Sequence, residues 1–396
     1  MGIKWNYKWR ENIMSKDVEN LRKHERVLNH VDIIKDKLEH KNKIKVGLLE
    51  FHPYDCCPLS CLYCTYHRDK SAVFPFERME KLKIFDPRAI VVSGGGEPVY
   101  YNDGKYKFND VIHKLREMFP NAKIGVTSNG QYMPEGDWQK EVEWIRVSLD
   151  TDNEKTFKKI KDGSLEKSLE TLKQLIQGPI KYVGAGFVYS RFNIDEVYRF
   201  LKMIYKDVYL EYKDKGAEKL NIQFRPTCMV SSCHCPSESY LSTGQLMVPD
   251  NKEWWKESVE KERNLIFNDE DAEFKEFVLN HANIDEKELF VINNKEPKFE
   301  KCWLSLIRAL VRANGDIFPC VMRACNNAKP IENILTCNNV ENIFLGQMLY
   351  HNLKEDYCKG CKECCRIDGQ KNVILDKNYG KIDEIIKDMN SIDYFF

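Results

Sequence analysis

The chain has 396 residues, enough for one large domain beside a smaller one, and its 61 Lys and Arg balance 61 Asp and Glu. That balance excludes a global field drawing it to nucleic acid or to an anionic membrane. No run approaches the roughly 18 apolar residues of a membrane span, and Met1 to Ser15 lacks the apolar core of a signal peptide, so a cytoplasmic protein with no membrane or nucleic-acid partner is expected.

Residues 1–42 are Lys-rich and helical in pattern and form an N-terminal segment. Six strand candidates follow: Lys43–Phe51, Ala89–Ser93, Lys123–Thr127, Trp144–Leu149, Tyr182–Tyr189 and Leu220–Phe224. Amphipathic helices separate them. One carries Phe108, Val111, Ile112 and Leu115 at helical spacing, a second Leu165, Leu169, Leu172 and Leu175, a third Val197, Leu201 and Ile204. Strands alternating with crossover helices predict an α/β fold with a parallel sheet, here a partial (β/α)6 TIM-like barrel over residues 43–227. In such folds chemistry sits at the C-terminal ends of the strands. Residues 228–300 break the alternation and are read as a bridging segment, with a small cysteine-rich domain at 301–366 and a tail at 367–396.

The 15 cysteines gather near residues 56–64, 228–235, 302–337 and 358–365. A disulfide scaffold would be shorter and would spread its cysteines through loops, so the clustering points to metal. After the first strand, Cys57, Cys61 and Cys64 stand in the spacing C-x3-C-x2-C, within CPLSCLYC. Three thiolates can hold three irons of a cubic four-iron cluster and leave the fourth open to a ligand. The alternatives are a three-legged zinc site or chance in a cysteine-rich chain. The second strand runs into Ser93-Gly94-Gly95-Gly96-Glu97-Pro98, where glycines permit close backbone approach and a carboxylate can pair with an ammonium group. The bland reading is a tight strand-to-helix connection.

The cysteine spacing, with Tyr63 before the last cysteine, and the Gly-Gly-Glu motif resemble the signatures of the radical S-adenosylmethionine (SAM) superfamily. The resemblance spans Lys43 to about Cys365. It implies a SAM-binding [4Fe-4S] cluster on Cys57, Cys61 and Cys64. It implies that Glu97, behind Gly94, Gly95 and Gly96, holds the methionyl amino group, with Tyr63 in the cofactor site. Ser148 and Asp150 are expected to face the cofactor ribose or methionine end, with Asn129 nearby; alternatively Asp150 caps the helix starting near Asn153. Gly186, in the small-residue strand Val183–Val188, is expected to border the adenine, plain packing being the other explanation. Arg225, ending the sixth strand, is the candidate contact to substrate or to the cofactor carboxylate, or else a surface ion pair.

Cys302, Gly315 and Cys320 frame a predicted hairpin, Leu310–Ala313 and Asp316–Pro319 about an Asn314-Gly315 turn, and Cys358 and Cys361 follow. This resembles the SPASM and twitch auxiliary-cluster extensions, which implies at least one auxiliary [4Fe-4S] cluster on Cys302, Cys320, Cys358 and Cys361. The complete SPASM run is absent, so twitch fits more simply. Cys325, Cys337, Cys364 and Cys365 leave a second cluster open, and a zinc ribbon is the alternative. Cys228, Cys233 and Cys235 have no assigned role.

What the resemblance implies is an oxidoreductase that cleaves SAM to a 5′-deoxyadenosyl radical, fed by an external one-electron donor such as flavodoxin or ferredoxin. Its radical would take hydrogen from a peptide or protein side chain, or, as the alternative, from an aminosugar-like or other small-molecule alcohol. Readings from other classes are a non-catalytic iron–sulfur electron carrier, which gives Glu97 and Asp150 no task, and a zinc-ribbon nucleic-acid binder, for which the zero net charge is unfavourable.

Overall fold

The computed structural model describes residues 25–40, 44–64, 72–226, 252–284, 299, 301–325, 329–339 and 366–381. Nine strands form one sheet: β1 (Leu48–Phe51), β2 (Ala89–Val92), β3 (Lys123–Ser128), β4 (Trp144–Ser148), β5 (Tyr182–Tyr189), β6 (Leu220–Pro226), β7 (Arg308–Val311), β8 (Asp316–Phe318) and β9 (Glu332–Asn333). Their order is β6-β5-β4-β3-β2-β1-β7-β8-β9. From β6 to β7 every pairing is parallel, and β7–β8 and β8–β9 are antiparallel. The fold is therefore α/β around a parallel, open, TIM-like sheet. The first six strands are those read from the apolar runs, although β1 begins at Leu48 rather than Lys43.

The longer helices are α1 (Val31–His40), α2 (Phe108–Met118), α3 (Glu154–Lys161), α4 (Leu165–Gln177), α5 (Val197–Ile204), α6 (Lys252–Phe267), α7 (Ala272–His281) and α8 (Arg366–Asn378). In α2, Phe108, Val111, Ile112, Leu115 and Met118 form the buried face. Each such side chain contributes roughly 1.5–3 kcal/mol by leaving water. Asp110 receives the Lys107 backbone N–H at 2.8 Å, satisfying one end group of that helix. The helix α3 starts at Asn153, whose side chain accepts from the Lys155 and Thr156 amides, so Asn153 and not Asp150 is its cap.

The hairpin around Gly315 (φ +88°) forms as predicted, but its first strand, β7, pairs in parallel with β1, Glu50 opposite Leu310. Residues Arg308 to Asn333 thus continue the barrel sheet. The Lys37 ammonium of α1 donates to the Leu306 carbonyl just before β7. Burial holds that lysine down to about 7. Cys228, Cys233, Cys235, Cys358, Cys361, Cys364 and Cys365 lie outside the described residues. Among the described residues, no helix is long and apolar enough to cross a membrane.

Candidate functional site

Parallel pairing brings the C-terminal ends of β1 to β4 to one rim of the sheet, and the motif loops leave from that rim. The cysteine loop is held from behind by α3. Ser60 N–H donates to Lys161 O at 3.1 Å and Leu62 N–H to Ile160 O at 2.9 Å, which satisfies carbonyls at the end of that helix. A turn between Cys61 O and Cys64 N closes the loop at 3.1 Å. Ahead of the cysteines, Asp55 pairs with Arg312 at 2.9 Å, both almost fully buried, and so ties the loop to the β7–β8 turn.

The Gly-Gly-Glu loop lies directly on this segment. Glu97 N–H donates to Cys56 O at 2.8 Å. A Cβ at position 96 would stand 2.3 Å from the same carbonyl, so the two backbones can meet only at a glycine. A Cβ at Gly94 would press on Gly96 O of its own loop at 2.9 Å, and Gly95 is buried. Glu97 is itself buried. Its Oε2 accepts the Asn129 N–H at 2.7 Å, while Oε1 has no hydrogen-bond partner among the described residues. Burial pushes its carboxyl up to about 7, against the pull of the Asn129 amide, Ser128 and the Lys161 ammonium.

Asn129 joins the two motifs. Its backbone meets Glu97, and its side-chain amide donates to Cys57 Sγ at 3.7 Å. Burial pushes the Cys61 thiol up to about 12, with Lys161 opposing the shift and Cys64 and Cys57 reinforcing it, so the three thiols share one local field. No three His, Cys, Asp or Glu side chains among the described residues converge on a single ion. Thiolates that each bind a different iron of a cube need no such convergence. The donor set and the unpartnered Glu97 oxygen therefore fit a three-thiolate cluster carrying an ammonium-bearing ligand.

Asp150 occupies a different kind of position from the expected cofactor contact. It is fully buried with φ +68°, a left-handed backbone that Asp tolerates better than most residues. Its Oδ1 accepts Val188 N–H at 2.6 Å, and its Oδ2 accepts the Lys161 ammonium at 2.8 Å and the Tyr63 hydroxyl. Both oxygens are engaged by protein, so this carboxylate clamps the cysteine loop, α3 and β5 together. Burial, and then the adjacent Asp150 charge, hold the Tyr63 phenol far above its ordinary range. Ser148 presents its carbonyl to Lys161. Gly186 accepts Leu149 N–H at 3.0 Å, and a Cβ there would stand 3.3 Å from Arg146 Cδ, so an arginine stem lies against that face.

Burial, and then the charge of Arg225 on β6, hold Arg146 below its ordinary range, with Asp150 opposing. Cys302 receives the Asn372 amide at 3.8 Å. Burial works to lower Arg308, but the charges of Asp368, then Glu50, then Cys320 raise it above its ordinary range. Sequence reading missed Lys161, Arg146 and Glu50. A usable signal existed for two of them. Glu50 in Leu-Leu-Glu-Phe and Arg146 in Trp-Ile-Arg-Val-Ser are charges inside strands, on the side opposite their buried apolar neighbours.

Residues 51–204 match the family described as the Radical SAM superfamily. A curated GTP 3′,8-cyclase from Clostridium perfringens (strain SM101 / Type A) is 28% identical over 183 residues, covering 41% of this chain and 53% of that protein. The chain thus spans about half the length of that relative. Streptococcus suis SuiB bound to precursor peptide SuiA has TM-score 0.55 at 15% identity, covering 97% of this chain and 81% of that one. SuiB bound to S-adenosylmethionine has TM-score 0.53 at 15% identity, covering 97% and 83%. At that identity the likeness to SuiB is one of fold. Residues 51–204 are a radical SAM superfamily domain.

Proposed function

We propose that this chain is a radical SAM enzyme in which Cys57, Cys61 and Cys64 hold the SAM-binding [4Fe-4S] cluster and the substrate is a peptide or protein side chain. The observation that carries the cofactor reading is Glu97: a buried carboxyl with one unpartnered oxygen, packed on the cysteine loop. When bound, cluster and SAM supply one-electron cleavage to methionine and a 5′-deoxyadenosyl radical that takes hydrogen from the substrate. Glu97 orients the ligand by accepting from its ammonium group. Asn129 fixes Glu97 relative to Cys57, and Asp150 fixes the cysteine loop through Tyr63 and Lys161.

The peptide substrate is supported by the fold shared with SuiB, solved with a precursor peptide bound. Cys302, Cys320, Cys358 and Cys361 are assigned to an auxiliary cluster, and an external flavodoxin or ferredoxin to electron supply. The test is anaerobic reconstitution followed by iron and sulfide counting and by assay for 5′-deoxyadenosine. The wild type should produce 5′-deoxyadenosine under reduction, and a Cys57/Cys61/Cys64 triple alanine variant should not, while keeping iron at the C-terminal site. Product formation by the triple variant would overturn the assignment.

A further inference from the structure

The cysteine loop rests on a buried cation. Lys161 is the last residue of α3, and both its backbone and its side chain serve the segment that carries Cys61. Ser60 and Leu62, on either side of that cysteine, donate to the Lys161 and Ile160 carbonyls. The Lys161 ammonium is held among the Ser148 carbonyl, Asp150 Oδ2 at 2.8 Å and the face of Phe157, whose ring centroid is 5.1 Å away. Asp150 Oδ2 also accepts the Tyr63 hydroxyl, which ties the ion pair to the loop between Cys61 and Cys64. Both charged side chains are almost fully buried.

A buried ion pair is a poor device for merely holding a loop in place. Taking two charges out of water costs about as much as their attraction returns, and an apolar pair of similar volume would hold the loop as well or better. What an apolar pair cannot supply is a field. In a water-poor interior a fixed charge acts strongly on its neighbours and is little screened by salt. Burial works against the Cys61 thiolate; of the charged groups around it, Lys161 acts most strongly and in its favour, while Cys64, Cys57 and then Asp150 oppose it. Lys161 outweighs its own partner there, so the pair does not cancel at Cys61.

We propose that the buried Lys161 ammonium raises the reduction potential of the [4Fe-4S] cluster held by Cys57, Cys61 and Cys64, with Asp150 as its counterweight. This deepens the cofactor reading above and rests on it. The potential of such a cluster follows the net charge around it and the hydrogen bonds to its sulfurs. One-electron reduction adds a negative charge, which a fixed ammonium beside one ligand favours. The Asn129 amide, 3.7 Å from Cys57 Sγ, acts in the same direction from the other side of the motif. Lys161 is thus a positioning and tuning residue that acts through the cysteine loop.

The experiment is a redox titration of the reconstituted full chain, followed by electron paramagnetic resonance, without SAM or substrate and with low-potential mediators. The Cys57/Cys61/Cys64 triple alanine variant identifies which signal belongs to this cluster. Lys161→Met should lower its midpoint by about 59 mV or more, a tenfold change in a one-electron equilibrium. Asp150→Asn should raise the midpoint. Where either single variant fails to fold, the Asp150→Asn/Lys161→Met double variant, which leaves no unpaired charge, carries the test. Its midpoint should still fall below wild type, because Lys161 outweighs Asp150 at Cys61. A purely structural role would loosen the loop and admit water in both single variants, moving their midpoints in the same direction. That outcome, an unmoved midpoint in Lys161→Met, or a double variant at or above the wild-type midpoint would overturn the proposal. A triple alanine variant that titrates like wild type would instead refute the cluster assignment itself, and the proposal with it.

Discussion

Glu97→Gln isolates one charge in the cofactor site. Glutamine preserves the side-chain shape and can still accept the Asn129 N–H that Glu97 now holds at 2.7 Å. What it loses is the negative charge facing a ligand ammonium. A charge-assisted bond of about 1.5–3 kcal/mol corresponds to a loss of SAM affinity between roughly tenfold and a hundredfold. The pH dependence sharpens the test. Burial raises the Glu97 carboxyl to about 7. Wild-type affinity should therefore rise with pH through about 7 and level off above it, whereas the glutamine variant should be flat there.

Stability should move in the opposite sense. The folded carboxyl at about 7 lies above its unfolded value, so the folded chain binds more protons between the two and loses stability as pH rises through that window. Above it, Glu97→Gln should be more stable than wild type by an amount on the order of 3 kcal/mol. Isothermal titration of reconstituted protein with SAM at pH 6 to 8, paired with urea unfolding of the reduced apoprotein, reads both effects. Unchanged affinity, or a variant as pH-dependent as wild type, would refute the ammonium-partner role.

Asp150→Asn should cost about 3–5 kcal/mol in urea unfolding, because it strips the partner from the buried Lys161 ammonium, and Lys161→Met in the same chain should recover much of that loss. Gly96→Ala should be poorly folded or lose iron retention at the cysteine loop, since a Cβ would stand 2.3 Å from Cys56 O; iron counting after reconstitution checks it. A Cys302/Cys320 double alanine variant should retain 5′-deoxyadenosine formation and lose about four irons per chain, with gel filtration confirming that it remains folded.

The parts of this molecule that sequence made legible are contiguous. Apolar runs such as Ala89–Val92 and Tyr182–Tyr189 read directly as strands, and the cysteine and Gly-Gly-Glu motifs each occupy fewer than about ten residues at strand ends. What stayed hidden depends on pairing across the chain. Nothing in Arg308–Val311 announces that it will lie beside Leu48–Phe51, because a parallel partner contributes only backbone hydrogen bonds and carries no complementary sequence. Asp150 was read as a ligand contact or a helix cap. Its actual partners, Lys161, Val188 and Tyr63, come from three separate segments, and only folding brings them to one carboxylate. Lys161 is the clearest loss. A lysine in a lysine-rich helix reads as a solvated charge, yet its side chain is almost fully buried beneath the cysteine loop.

The buried Asp55–Arg312 pair has a mechanical consequence. It rivets the approach to the cysteine loop onto the turn of a hairpin that sits 257 residues further along the chain. Separating two such charges inside protein costs several kcal/mol, so turn and loop move as one piece or not at all. A ligand or partner that repositions the β7–β8 turn therefore acts on the geometry of Cys57, Cys61 and Cys64. By linkage, whatever those thiols bind feeds back with equal strength on the hairpin.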